Sequence, residues 1–173
     1  MEAVTTSRNQ KVSLLAKAGI TIEYAEQALR PASVGPLELC RFDQSLPIGL
    51  IRVFPGIQFE LFESIMTDKL RGVVLETFGA GNVPSSGKSL LHIIEKAYRS
   101  GTIITVCSQC MQGTVSLGAY ATSQALRQIG AVNGGDMTTE AALTKLYYLF
   151  SLGLDKAEIK RLMMCDLRGE RSV

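Results

Sequence analysis

From position 47 onward, short β-branched apolar runs alternate with longer segments whose apolar residues recur every three or four positions. Residues 48–54 form an apolar run stopped by Pro55 and Gly56, which predicts a strand and a turn. Residues 58–66 place Phe59, Phe62 and Met66 at helical spacing. Residues 71–78 read as a second strand of the buried type, and 88–99 as a helix with Leu90, Leu91, Ile94 and Ala97 on one face. A third strand is predicted at 102–106, a helix at 117–128 ended near Gly130, and a short extended piece at 131–133. Two more helices follow at 138–152 and 155–167. Thr138 or Thr139 caps the first and Asp155 starts the second.

Before position 47 the pattern is weaker. Residues 13–26 fit either a short helix or an extended piece, and Ile20-Thr21-Ile22 hints at a strand. Pro31, Ser33 and Gly35 make 30–35 a linker. The chain therefore divides into an N-terminal segment and linker, 1–35, and one domain, 36–173. Strands alternating with helices predict an α/β fold: a single three-layer domain with a central parallel sheet of about four strands and helices on both faces. Ligands gather at the carboxyl ends of such strands. That rule singles out three loops, 78–89, 107–116 and 133–138.

Composition adds limits. A chain of 173 residues, 46% hydrophobic and 20% charged, is large enough for one real core. A formal net charge of +2 offers no field that would hold nucleic acid. No segment approaches the roughly 20 apolar residues of a membrane helix. The opening MEAVTTSRNQ has no apolar signal core, so a cytoplasmic protein is expected. Cys40, Cys107, Cys110 and Cys165 are too sparse for a secreted disulfide framework, and His92 is the single histidine. No metal and no cofactor are expected.

Two local motifs invite chemistry. Gly87-Lys88-Ser89 ends like a phosphate loop, but the glycine that G-x-x-x-x-G-K-[ST] needs at position 82 is Asn82. Gly81 stands one residue too early, and the curl of N–H groups round a phosphate depends on that count. A polar helix start is the expected reading. Cys107-Ser108-Gln109-Cys110 follows a strand, as redox pairs do, yet Gly113 and Thr114 intervene before the next helix. These cysteines are expected to be small, partly buried loop residues.

The segments GLIRVFPGIQFELFESIMTDKLRGVVLETFGAGNVPSS, VCSQCMQGTVSLGAYATSQALRQIGAVNGGDMTTEAALTKLYYLFSLGL and the closing DLRGE resemble the C-terminal domain of cytosolic, type I L-asparaginases. Leu15-Ala16-Lys17-Ala18-Gly19-Ile20 resembles the segment just before that domain. The resemblance covers roughly residues 14–170. It implies L-asparagine as substrate, released as aspartate and ammonia, with glutamine poorer. It also implies a homodimer or homotetramer. In the family, the loop written here Gly79-Ala80-Gly81-Asn82 approaches the substrate amino acid bound in a neighbouring subunit. Glycines let a backbone come close to a small ligand, and an asparagine amide offers a donor and an acceptor. Gly79, Gly81 and Asn82 are therefore the substrate-binding candidates.

The family's nucleophilic threonines lie in T-G-G-T-I and T-D-T stretches of an N-terminal domain, and neither stretch occurs here. Thr5-Thr6 lacks the exposing glycines. Without a base and an oxyanion donor, a threonine hydroxyl is a poor nucleophile at neutral pH. Three arrangements account for this: a naturally short asparaginase whose site assembles across an oligomer, a non-catalytic amino-acid-binding or assembly domain, or a piece of a longer enzyme. Met1 favours the first two. The catalytic residue is thus unknown, with Thr77 (beside Glu76), Ser108 and Thr114 as weak candidates. Tyr120 is expected to be a packed helix residue and Lys145 a surface charge. By resemblance, Cys110 matches a position of a regulatory asparagine site, where Glu76 replaces an arginine that grips a carboxylate. An anion there repels that ligand, so regulation by asparagine is not expected.

Overall fold

A computed structural model of the chain describes residues 14–31, 35–36, 38–84 and 88–172. Thr5, Thr6, Ser33 and Gly87 lie outside the described residues. Two short strands, β1 (Ala16–Ala18) and β2 (Ile22–Tyr24), pair antiparallel as a small hairpin. The extended alternative for this segment is the one that forms. Gly19 and Thr21 close the turn, the Gly19 N–H donating to the Thr21 carbonyl at 3.0 Å.

The main sheet holds β3 (Ile48–Arg52), β4 (Gly72–Thr77), β5 (Ile103–Ser108) and β6 (Val132–Asn133), in the order β3-β4-β5-β6 and all parallel. Between them run α1 (Glu63–Asp68), α2 (Lys88–Arg99) and α3 (Ala121–Ile129). The helices α4 (Thr139–Ser151) and α5 (Lys156–Met163) follow. Val73, Leu75, Ile104 and Val106 point into one core with Met66, Ile94 and Leu126 of α1, α2 and α3. Val74, Ile103 and Cys107 point into the other, with Leu146, Leu149 and Ile159 of α4 and α5. This is the three-layer α/β arrangement read from the sequence. Burial on both faces is why β4 and β5 read as unbroken apolar runs.

Several boundaries differ, each for a local reason. The predicted helix 58–66 is a 3₁₀ turn, Phe59–Phe62, followed by the short α1. The predicted helix 117–128 begins later, at Ala121. Buried Ser123 fixes that start, its hydroxyl accepting from the Gly118 and Tyr120 N–H groups at 3.3 and 3.0 Å. Tyr120 therefore precedes the helix and is 57% exposed, not packed within it. The strand predicted at 102–106 runs on to Ser108, which moves Cys107 and Ser108 out of the loop and into the buried sheet. The last helix stops at Met163, short of 167. Thr138 and Asp155 cap α4 and α5 as expected, accepting from Ala141 N–H at 3.1 Å and Glu158 N–H at 2.8 Å.

The expectation that Lys145 is a surface charge fails. Its ammonium is buried and sits 2.6 Å from the Glu170 carboxylate. It also donates to the carbonyls of Met163 and Cys165. Burial pushes the Glu170 carboxyl up, but the Lys145 bond and the N–H groups of Leu167 and Arg168 outweigh it, holding the group at about 2 against an ordinary 4.5. A buried cation needs this kind of saturation, because an unpaired one is costly. The closing DLRGE stretch is thereby clamped to α4. Beyond it, Arg171 donates to the Asn133 carbonyl at 2.6 Å and the Ser172 N–H to Asp136 at 2.9 Å.

Two stability measurements follow. Leu75, fully buried in the central strand, should cost about 2–5 kcal/mol when changed to alanine, read as a lower denaturation midpoint with unchanged slope. Glu170→Ala leaves Lys145 buried with carbonyls alone and should cost about 3 kcal/mol at neutral pH. Because the folded Glu170 titrates below its unfolded value, its contribution is full above pH 4.5 and fades as pH falls toward 2. Wild type and Glu170→Ala should thus converge in stability across that window; parallel curves would remove Glu170 from the acid limb.

Candidate functional site

At the carboxyl end of β4 the chain makes a tight turn over 78–82. The Phe78 N–H donates to the Asn82 carbonyl and the Asn82 N–H to the Phe78 carbonyl, both at 2.8 Å. Two glycines permit this path. Gly79 has φ +49° and Gly81 φ +113°, a region L side chains avoid. A Cβ on Gly81 would also come within 3.3 Å of the Leu117 and Val115 side chains. The glycines that mimic a phosphate loop in the sequence are thus spent on a turn that presents Asn82.

The three loops singled out from the sequence meet here. Ser116 donates its N–H to the Ala80 carbonyl at 2.9 Å, joining the second loop to the turn. Val115 donates to the Gly135 carbonyl at 2.9 Å, joining the second loop to the third. Gly134 in turn donates to the Val106 carbonyl at 2.9 Å. The strand ends therefore form one fastened surface. Half-buried Asn82 sits on it, its side-chain oxygen accepting from the Thr122 hydroxyl at 3.2 Å.

The candidate nucleophiles are not assembled. Thr77 is fully buried and donates to the Cys107 carbonyl at 3.1 Å, across the sheet. Its neighbour Glu76 points to the opposite face, as successive strand residues must. There Glu76 accepts from the Thr139 hydroxyl at 2.5 Å and lies 3.8 Å from Arg52. Glu76 is therefore no base for Thr77; it ties β3, β4 and the start of α4 together. Ser108 is buried and accepts the Cys110 N–H at 3.1 Å. Thr114 is exposed. Cys110 is exposed, while Cys107 is buried in β5, and none of the four cysteines is in a disulfide.

Thr122 and Arg52 are polar residues that sequence reading passed over, and Thr139 was read only as a possible helix cap. Each meets its partner across at least 24 positions in the chain, and no periodicity or motif reports such a pairing. The predicted helix, from 117, placed Thr122 more than a turn inside; only the later start at Ala121 brings it beside the strand-end loop. Among the described residues no His/Cys/Asp/Glu group could hold a metal ion, and no helix is long and apolar enough to cross a membrane. Two clefts lie away from the strand ends. One, about 280 Å³, runs beside Phe42, Tyr148 and Lys145; the other, about 420 Å³, beside Tyr98, Lys156 and Lys160.

Comparison with known proteins agrees with the fold. L-asparaginase 1 of Escherichia coli (strain K12) is 39% identical over 124 residues, which is 72% of this chain and 36% of that protein. The 60 kDa lysophospholipase of Mus musculus is 42% identical over 127 residues, 73% of this chain and 22% of that one. The crystal structure of L-asparaginase I from Vibrio cholerae superposes with a TM-score of 0.81 at 37% identity, covering 92% of this chain and 48% of the other. The chain thus spans about a third of the Escherichia coli relative and about half of the solved Vibrio chain. Residues 47–163, from the strand entering the sheet to the end of α5, match the Glutaminase/Asparaginase C-terminal domain, and the chain belongs to that family.

Proposed function

We propose that this protein takes part in hydrolysis of L-asparagine to L-aspartate and ammonia, with L-glutamine a poorer substrate. Its strand-end turn borders the bound amino acid. The observation that carries this reading is the placement of Asn82: a half-buried amide on a turn locked by two mutual backbone bonds and fastened to the second loop, which is itself tied to the third. Held in that way, an amide meets a small zwitterion with little ordering cost. The nucleophile is then neither Thr77 nor Ser108, and of the three candidates only exposed Thr114 is left within the described residues. Thr77 and Ser108 already hold backbone partners, and neither has a base beside it. A second reading, a non-catalytic amino-acid-binding or assembly domain, is favoured by that same occupation of the two hydroxyls.

Association completes the proposal. Ile20, Leu39, Leu61 and Met111 are among the large apolar side chains left exposed. A dimer or tetramer with two-fold symmetry would cover part of them.

Ammonia release by the purified protein tests the first reading. Turnover of asparagine should exceed that of glutamine, and Asn82→Ala should lower kcat/KM by about tenfold or more. Gly81→Ala should act in the same direction, because it forces the turn that presents Asn82. Absence of turnover, with asparagine still raising Tm, would leave the binding-domain reading. Neither turnover nor a Tm shift would end both. Light scattering at micromolar concentration should give at least twice the monomer mass of 18.7 kDa.

A further inference from the structure

We infer that Thr122 is the positioning residue that makes Asn82 a hydrogen-bond donor to the substrate. The inference rests on the reading of Asn82 as a substrate contact and specifies what that contact recognises. An asparagine amide can present its oxygen or its nitrogen, and its neighbours decide which. Here the Thr122 hydroxyl donates to Asn82 Oδ1 at 3.2 Å. Among the described residues, the Asn82 amide nitrogen has no protein partner. One lone pair of the oxygen is thus engaged inside the protein, which fixes the orientation of the amide, and among the described residues both N–H groups remain for a ligand. The group these N–H groups recognise is an acceptor oxygen of the amino acid, its α-carboxylate or its side-chain carbonyl.

The position of Thr122 is itself determined. It lies in the first turn of α3, one residue before Ser123. Ser123 is fully buried; besides accepting from Gly118 and Tyr120, it donates to the Tyr120 carbonyl at 2.9 Å. That hydroxyl fixes the bend by which the chain enters α3, and so fixes where Thr122 stands. On the other side, Gly81 packs against the same bend: a Cβ placed on it would lie 3.6 Å from the Ser123 Cβ. Gly81, which precedes Asn82, thus lies close beside Ser123, which follows Thr122, and their separation is held without help from a ligand. A threonine suits this role. Its β-branch restricts χ1, so the hydroxyl is aimed rather than free to rotate away.

The test compares Thr122→Val, Thr122→Ser, Asn82→Ala and the Thr122→Val/Asn82→Ala double variant in the full chain. L-asparagine binding is titrated calorimetrically, and thermal melts serve as the folding control. Thr122→Val should weaken binding about tenfold, the usual loss when one partner of a polar pair is removed. Thr122→Ser, which keeps the hydroxyl, should stay within about twofold of wild type. In the Asn82→Ala background Thr122→Val should add nothing, since the two residues act as one unit. Should Thr122→Val lower the melting temperature markedly, Thr122→Ala takes its place with the same expectation. Unchanged affinity in Thr122→Val, or an equal further loss in the double variant, would overturn the inference while leaving Asn82 as a contact. Unchanged affinity in Asn82→Ala would instead overturn the reading of the site, and the inference with it. A parallel titration with L-asparaginamide, which lacks the α-carboxylate, assigns the acceptor. If the penalty of Thr122→Val disappears there, the oxygen is the α-carboxylate; if it persists, the oxygen is the side-chain carbonyl. Both outcomes uphold a donor at Asn82.

Discussion

Strands β4 and β5 run side by side in register, from Gly72 opposite Ile103 to Thr77 opposite Ser108. Both are covered on both faces, and Val73, Val74, Leu75, Ile103, Ile104 and Val106 are wholly buried. Parallel strands so enclosed satisfy nearly all of their polar groups within the protein, and among the described residues only the Thr105 hydroxyl of β5 is buried without a partner. That requirement governs what the strand ends can do. It takes the Thr77 hydroxyl for the Cys107 carbonyl and the Gln109 amide for the carbonyls of Val53 and Glu76. Groups that look reactive in a linear reading are consumed in closing the top of the sheet.

What escapes that demand is the turn beyond the last buried residue of β4. Its backbone bonds are made within the turn and to Ser116 of the second loop, which leaves its side chains for other work, and Asn82 pairs with Thr122. Rigidity here comes from neighbours. The second loop is tied to the turn through Ser116 and to the third loop through Val115, and the tail closes over the third through Arg171. A surface made of loops normally moves more than the scaffold beneath it. Cross-bonding of three loops reduces that freedom and keeps a small-ligand contact in one geometry.

The buried Lys145–Glu170 pair plays the corresponding part on the other side of the sheet. Pairs of this kind add little net stability over an apolar replacement, but they are demanding about geometry. Lys145 is satisfied only when Glu170 and the carbonyls of Met163 and Cys165 are all in place. It therefore sets where the chain goes after α5, and from there the tail reaches Asn133 and Asp136. A residue expected at the surface from its charge is in fact what directs the end of the chain to the strand-end surface.

Hydrophobic period alone determined the α/β class, the parallel sheet and the positions of β3 to β6, because burial on both faces writes continuous apolar runs into the chain. The limits of α2 were legible as 88–99, and the caps of α4 and α5 as Thr138 or Thr139 and as Asp155, since those signals are local; the structure selects Thr138. The long segments quoted above carried the family. Tertiary structure decided the rest. Glu76 and Thr77 are neighbours in sequence, yet the pleat sends them to opposite faces, which no composition reveals. Thr122 meets Asn82 from forty positions away, and Lys145 meets Glu170 across twenty-five. Such contacts depend on how α3 and the tail pack against the sheet. The identity of a side chain states what bonds it can make; only the packed fold states which of them are already taken.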